Sequence, residues 1–187
     1  MLSRATKTAL GGAALAAMAL LALPAAAFAS GTSGTATITG GTLSMNAPAT
    51  VQFSATLNGT DQHVTAPQAI DVLDNTGSAA GWNVTLTSTT FTNGSLTLAD
   101  NSVSDLSASG ACDSNVTCSL ADNVVGQAPV TVPSATTAPT AVKILNASAN
   151  TGMSGQTWTH SMQLAIPANA HAGTYTSTWT YSLVAGP

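Results

Sequence analysis

The stretch that most constrains this chain is its last, Gly173-Thr-Tyr-Thr-Ser-Thr-Trp-Thr-Tyr-Ser-Leu-Val-Ala-Gly-Pro187. From Tyr175 onward it alternates. Tyr175, Trp179, Tyr181 and Leu183 share one side with the small Ser177, and Thr176, Thr178, Thr180 and Ser182 share the other. A period of two is the mark of a β-strand with one buried face. A terminal strand carrying large aromatics is expected to dock in a core rather than fray. Gly81-Trp-Asn-Val-Thr-Leu-Thr87 repeats the pattern, with Trp82, Val84 and Leu86 on one face and Asn83, Thr85 and Thr87 on the other. Two such strands, far apart in sequence, are expected to meet at the centre of one all-β core.

Other segments carry the same signature. Thr35–Thr39 and Thr42–Met45 read as strands on either side of Gly40-Gly41. Val51-Gln-Phe-Ser-Ala-Thr-Leu57 alternates cleanly, with Val51, Phe53, Ala55 and Leu57 inward, and ends at Asn58-Gly59, a tight-turn signal. Ala69–Leu73 is a further strand. Phe91–Leu98 reads as a hairpin with Asn93-Gly94 at its tip. Thr117–Ala121 and Ala141–Leu145 are short strands, and the Pro/Ala/Thr-rich 128–139 is expected to be an extended loop within the domain. In Trp158–Ile166, Trp158, His160, Met162, Leu164 and Ile166 share one face. Pro167–Gly173 then turns the chain, which predicts an antiparallel hairpin of the last two strands. Many short strands separated by turn signals, with no amphipathic helix, indicate a single antiparallel β-sandwich, Ig-like or related.

The first residues read as an address. Arg4 and Lys7 precede an apolar run from Ala9 to Leu23, and Ala27-Phe28-Ala29 follows Pro24. That is a signal peptide over 1–29, cut after Ala29, with the domain at 30–187. The apolar run is shorter than the roughly 20 residues a membrane span needs. No later segment is apolar enough to span, and no sorting signal of the LPxTG type follows. Export without a covalent wall anchor or a remaining membrane span is therefore expected.

Without Arg4 and Lys7, one basic residue, Lys143, faces seven aspartates and no glutamate. A nucleic-acid partner needs a basic patch to neutralise phosphates, and none can form here. Low charge combined with alternating Thr, Val, Leu and Ile points to β structure rather than disorder. The two cysteines, Cys112 and Cys118, sit six apart, and in an exported chain they are expected to form a local disulfide.

Four constellations could carry chemistry. Asp71 and Asp74 near Gly77 could offer oxygens to Ca²⁺, but the spacing is not that of an EF-hand loop, and Asp and Asn favour turns in their own right. His63, His160 and His171 make no metal-ligand motif, and His160 reads as a satisfied histidine on the apolar face of its strand. Gly152-Met-Ser-Gly155 lacks the spacing of a nucleophile elbow. Lys143 is the one candidate for a Lys–Asn isopeptide link, without an acid beside it in sequence. No catalytic residue, no metal and no cofactor is expected, and the chain is read as a binding or structural module rather than an enzyme.

The run Ile166-Pro-Ala-Asn-Ala-His-Ala-Gly-Thr-Tyr-Thr-Ser-Thr-Trp-Thr-Tyr-Ser-Leu-Val-Ala-Gly-Pro187 resembles the C-terminal end of WxL-domain surface proteins of Gram-positive bacteria. Asp71-Val-Leu-Asp-Asn-Thr-Gly-Ser-Ala-Ala-Gly-Trp-Asn-Val-Thr-Leu-Thr87 resembles their proximal motif. Val84 stands in Trp82-Asn83-Val84 where the family has Leu. The distal motif aligns as Tyr181-Ser182-Leu183, with Tyr in place of Trp and Trp179 two residues earlier on the same face. The resemblance implies non-covalent attachment to the cell wall, to peptidoglycan, at the cell surface and often beside other surface proteins. It assigns the wall-binding role to Trp82, Val84, Trp179, Tyr181 and Leu183. The alternation by itself favours these aromatics as core; both readings hold together if the motif strands border a groove. The runner-up is a structural subunit of a surface polymer or multi-protein complex, joined by strand or face pairing.

Overall fold

A strand pattern becomes a strand only where a neighbouring backbone completes its hydrogen bonds, and this decides which of the expected strands form. The computed structural model describes residues 31–122 and 129–187. The expected signal segment lies outside the described residues. The chain divides into Met1–Thr37 and Ile38–Pro187. Of the first unit only 31–37 are described, as exposed chain without regular structure.

Among the described residues the second unit holds eleven strands. They are β1 (Leu43–Asn46), β2 (Gln62–Asp74), β3 (Trp82–Thr89), β4 (Thr92–Asn93), β5 (Leu96–Thr97), β6 (Val103–Cys112), β7 (Val130–Val132), β8 (Ser134–Ala135), β9 (Val142–Ala147), β10 (Ser154–Ile166) and β11 (Trp179–Ala185). One sheet has the order β1-β2-β10-β6-β7. The second has β11-β3-β8, with β9 also paired to β3, and β4 and β5 make a separate hairpin. Among the described residues there is no helix.

The two sheets share one core. The first sheet contributes Ile70, Val72, Val103, Val132, Trp158, Met162 and Leu164, and the second contributes Trp82, Val84, Leu86, Ile144, Leu145 and Ala147. Burial alternates residue by residue from Trp82 to Leu86 in β3 and from Gln156 to Leu164 in β10, as the apolar pattern requires. The order of pairing is antiparallel throughout except β3 with β8, where Ser88 and Thr89 run parallel to Ser134 and Ala135. Cys112 and Cys118 form the disulfide, at a Cα separation of 5.6 Å. It ties the end of β6 to the loop that follows.

Several expectations are corrected. The last two strands do not form a hairpin. Both edges of β10 are occupied, by β2 and β6, so the chain crosses to the other sheet and β11 pairs with β3. The Pro/Ala/Thr-rich segment contains β7 and β8 rather than loop alone. Thr117–Ala121 contributes only an isolated bridge, Ser119 to Met153. Thr35–Thr39 and Val51–Leu57 are not strands. Beyond Asn46, Pro48 interrupts the chain. The outer edge of β2 past Asp71 carries Pro67, which has no N–H to offer. Residues 51–57 leave that edge, and Phe53 packs instead on Phe91 and Trp179.

Candidate functional site

The two resembling motifs lie side by side. β11 runs antiparallel to β3 with Trp179 opposite Ser88, Tyr181 opposite Leu86, Leu183 opposite Val84 and Ala185 opposite Trp82. Segments almost a hundred residues apart thus form one two-stranded unit.

The proximal motif is sealed. Trp82 and Val84 are both fully buried, and the indole N–H of Trp82 donates to the carbonyl of Gly152 at 2.8 Å. Gly152 has φ 73°, and a Cβ there would lie 2.6 Å from the Trp82 Nε1 and 2.4 Å from the Ala147 Cβ. Only a glycine allows that backbone to approach the ring. Gly81, at φ 77°, meets the same constraint against the carbonyl of Ala147. The Gly-Trp pair is therefore a packing device, and neither Trp82 nor Val84 presents surface to a ligand.

The distal motif is different. Trp179, Tyr181 and Leu183 are half-buried, and the intervening Thr180 and Ser182 are exposed. The ring of Trp179 lies 6.2 Å from Phe53 and 6.5 Å from Tyr181, both tilted, and Phe53 meets Phe91 edge-on at 6.3 Å. These distances suit favourable aromatic packing. The result is a row, Phe91–Phe53–Trp179–Tyr181, along one flank. Phe53 and Phe91 were not among the sequence-assigned site residues. The alternation of Val51–Leu57 marked Phe53 as inward, but nothing in it showed the partner.

A groove of about 370 Å³ runs beside this row, bordered among others by Pro48, Val51, Gln68, Phe91, Thr178 and Trp179. The indole N–H of Trp179 and the hydroxyl of Tyr181 are themselves buried and have no hydrogen-bond partner among the described residues. Burial and the nearby Asp105 carboxylate push the Tyr181 phenol well above its usual range, so it stays protonated.

Below the row sits a buried ion-pair geometry. His160 Nδ1 lies 2.6 Å from Asp105 Oδ2, with both side chains fully buried. Burial raises the Asp105 carboxyl above the usual carboxylate range, while the His160 hydrogen bond and charge pull it down. His160 is thus more deeply enclosed than its alternation alone indicated. Asp74 and Lys143 have structural partners. Asp74 Oδ1 accepts from the backbone N–H and hydroxyl of Thr76, closing a turn. Lys143 Nζ donates to Asn146 Oδ1 at 3.0 Å on its own strand. Among the described residues no three His, Cys, Asp or Glu side chains gather as a metal site would need.

Fold and flank together define a class: an all-β module with a glycine-locked core and a half-exposed aromatic row. Residues 22–187 match the family described as WxL domain surface cell wall-binding. The chain belongs to that family, and its place is the cell surface, in association with the cell wall. Comparison with the curated proteins and with the solved structures found no match.

Proposed function

We propose that the chain binds the wall through peptidoglycan glycan, held in the groove beside Trp179. The carrying observation is the aromatic row that ends on the distal motif strand and borders a groove of about 370 Å³. Aromatic faces are favourable platforms for the apolar faces of sugars. Trp179 and Tyr181 make the contact, with Leu183 holding the strand. Trp82 and Val84 support the site from the core by fixing β3, against which β11 lies. The uncharged border suits a neutral glycan backbone better than a charged partner.

Intrinsic fluorescence tests this. The chain has three tryptophans, and Trp82 and Trp158 are 0% and 4% exposed. Titration with soluble peptidoglycan fragments is expected to shift an emission that belongs to Trp179. The shift disappears in Trp179→Phe. An unchanged spectrum at saturating fragment, or a shift that survives the substitution, rejects this site.

A further inference from the structure

Two segments of this chain have strand sequences and no strand partner, and one of them lies along an apolar groove. The groove, about 780 Å³, runs between residues 50–57 and residues 170–175, over a floor that includes Leu98, Leu164 and Phe91. Leu98 and Leu164 are 6% and 4% exposed, so the floor is continuous with the core. Along the near rim, Val51–Leu57 keeps its alternating sequence. Among the described residues its backbone makes no hydrogen bond except that the carbonyl of Thr56 accepts from Gln62 Nε2. The run spans about 20 Å at strand spacing. Extended backbone with free N–H and C=O groups is the template that strand addition uses.

The second segment is Thr35-Ala-Thr-Ile-Thr39. Residues 31–42 are all exposed, and Ile38, the one large apolar side chain among them, is 94% exposed. An aliphatic side chain left in water at that level forgoes burial that a groove could supply. The segment is flanked by Gly34 and by Gly40-Gly41, and a Cβ on Gly40 would meet the Thr76 carbonyl at 2.2 Å. It therefore leaves its own sheet from a fixed point. Residues 31–42 carry no charge, and His171 is the one titratable group on the groove lining apart from Tyr175. Neither surface would have to desolvate a carboxylate or an ammonium.

We infer that the groove along Val51–Leu57 is an acceptor for the Thr35–Thr39 strand of a second copy of this chain. The donor strand pairs with the free backbone of 51–57 and places Ile38 on the floor at Leu98 and Leu164. Each copy then carries one donor and one acceptor, which gives either a reciprocally swapped dimer or a head-to-tail row. This inference does not rest on the glycan reading, although the two grooves share Val51 and Phe91.

The test is sedimentation equilibrium of the chain from residue 30 onward, over a concentration series. The residues from Ile38 form one compact unit, and circular dichroism verifies the fold of each variant. The wild type is expected to associate in a concentration-dependent way. Ile38→Asp, at a side chain its own fold does not use, is expected to weaken association about tenfold or more. Leu57→Asp, on the acceptor rim and 40% exposed, weakens it comparably. A peptide spanning Gly34–Gly41 is expected to compete. A wild type that stays monomeric throughout, or both folded variants associating like wild type, overturns the inference. Normal wall binding alongside a strictly monomeric chain would reject this contact and leave the glycan reading standing.

Discussion

Leu183 faces Val84 directly across the β11–β3 pair. These are the aliphatic third positions of the two aromatic-x-aliphatic motifs, so the motifs meet at their ends and stabilise one another. Val84 is fully buried and Leu183 half-buried. Val84→Ala is expected to cost about 2 kcal/mol or more and Leu183→Ala about 1. Directly opposed residues couple, so the double variant should depart from additivity by about 0.5 kcal/mol or more. Urea denaturation of the four proteins measures it; strict additivity would mean the motifs do not support each other.

Gly152 is bound to the proximal motif just as closely. Its carbonyl receives the Trp82 indole, and its φ of 73° leaves no room for a Cβ. Gly152→Ala should destabilise by about 2 kcal/mol or more, through both backbone strain and displacement of the ring. Near-ultraviolet circular dichroism should show the tryptophan signal altered. A thermal midpoint unchanged from wild type would contradict the packing role.

The buried Asp105–His160 pair yields a prediction about sign. Removing His160 alone leaves a buried carboxyl unpaired, so His160→Leu is expected to cost about 3–5 kcal/mol. Replacing both, as Asp105→Leu with His160→Leu, should cost less than that single change. Denaturation midpoints decide between this and simple addition of two losses.

Asp71 supplies the pH dependence. Burial first, and the charge of Asp113 second, raise its carboxyl above the ordinary 3.8. The folded state therefore holds that proton more tightly than the unfolded state. Its contribution is fully present below 3.8 and is lost as pH rises through the raised folded value. Asp71→Asn should leave stability little changed in acid and increase it at neutral pH, by less than about 1 kcal/mol at this partly exposed position. A variant less stable than wild type at neutral pH would reverse the sign.

The strands legible in the sequence are those whose alternation coincides with a partner edge. Trp82–Thr87 and Trp158–Ile166 needed no more than their own pattern, because each lies in a sheet interior with neighbours on both sides. The alternation from Tyr175 to Ser182 also persists as burial, although ladder pairing in β11 begins only at Trp179. Val51–Leu57 shows the limit. Its pattern is as clean as any, yet pairing depends on Pro48 and on Pro67 in a strand the pattern cannot see. The crossing of the chain from β10 to β11 was hidden for a related reason: a turn signal tells that the chain reverses, and not which sheet receives it. Trp82 and Trp179 read alike in the sequence. Only the register separates the sealed indole from the half-exposed one.

The most direct measurement of the central claim is co-sedimentation of the purified chain with cell walls, wild type beside Trp179→Ala, with circular dichroism showing both folded. The account predicts that the wild type sediments with the walls. The folded variant should remain largely in solution, weakened at least about tenfold as for loss of a dominant aromatic contact. A folded Trp179→Ala that sediments as fully as wild type would contradict it, and would place wall binding on another surface of the chain.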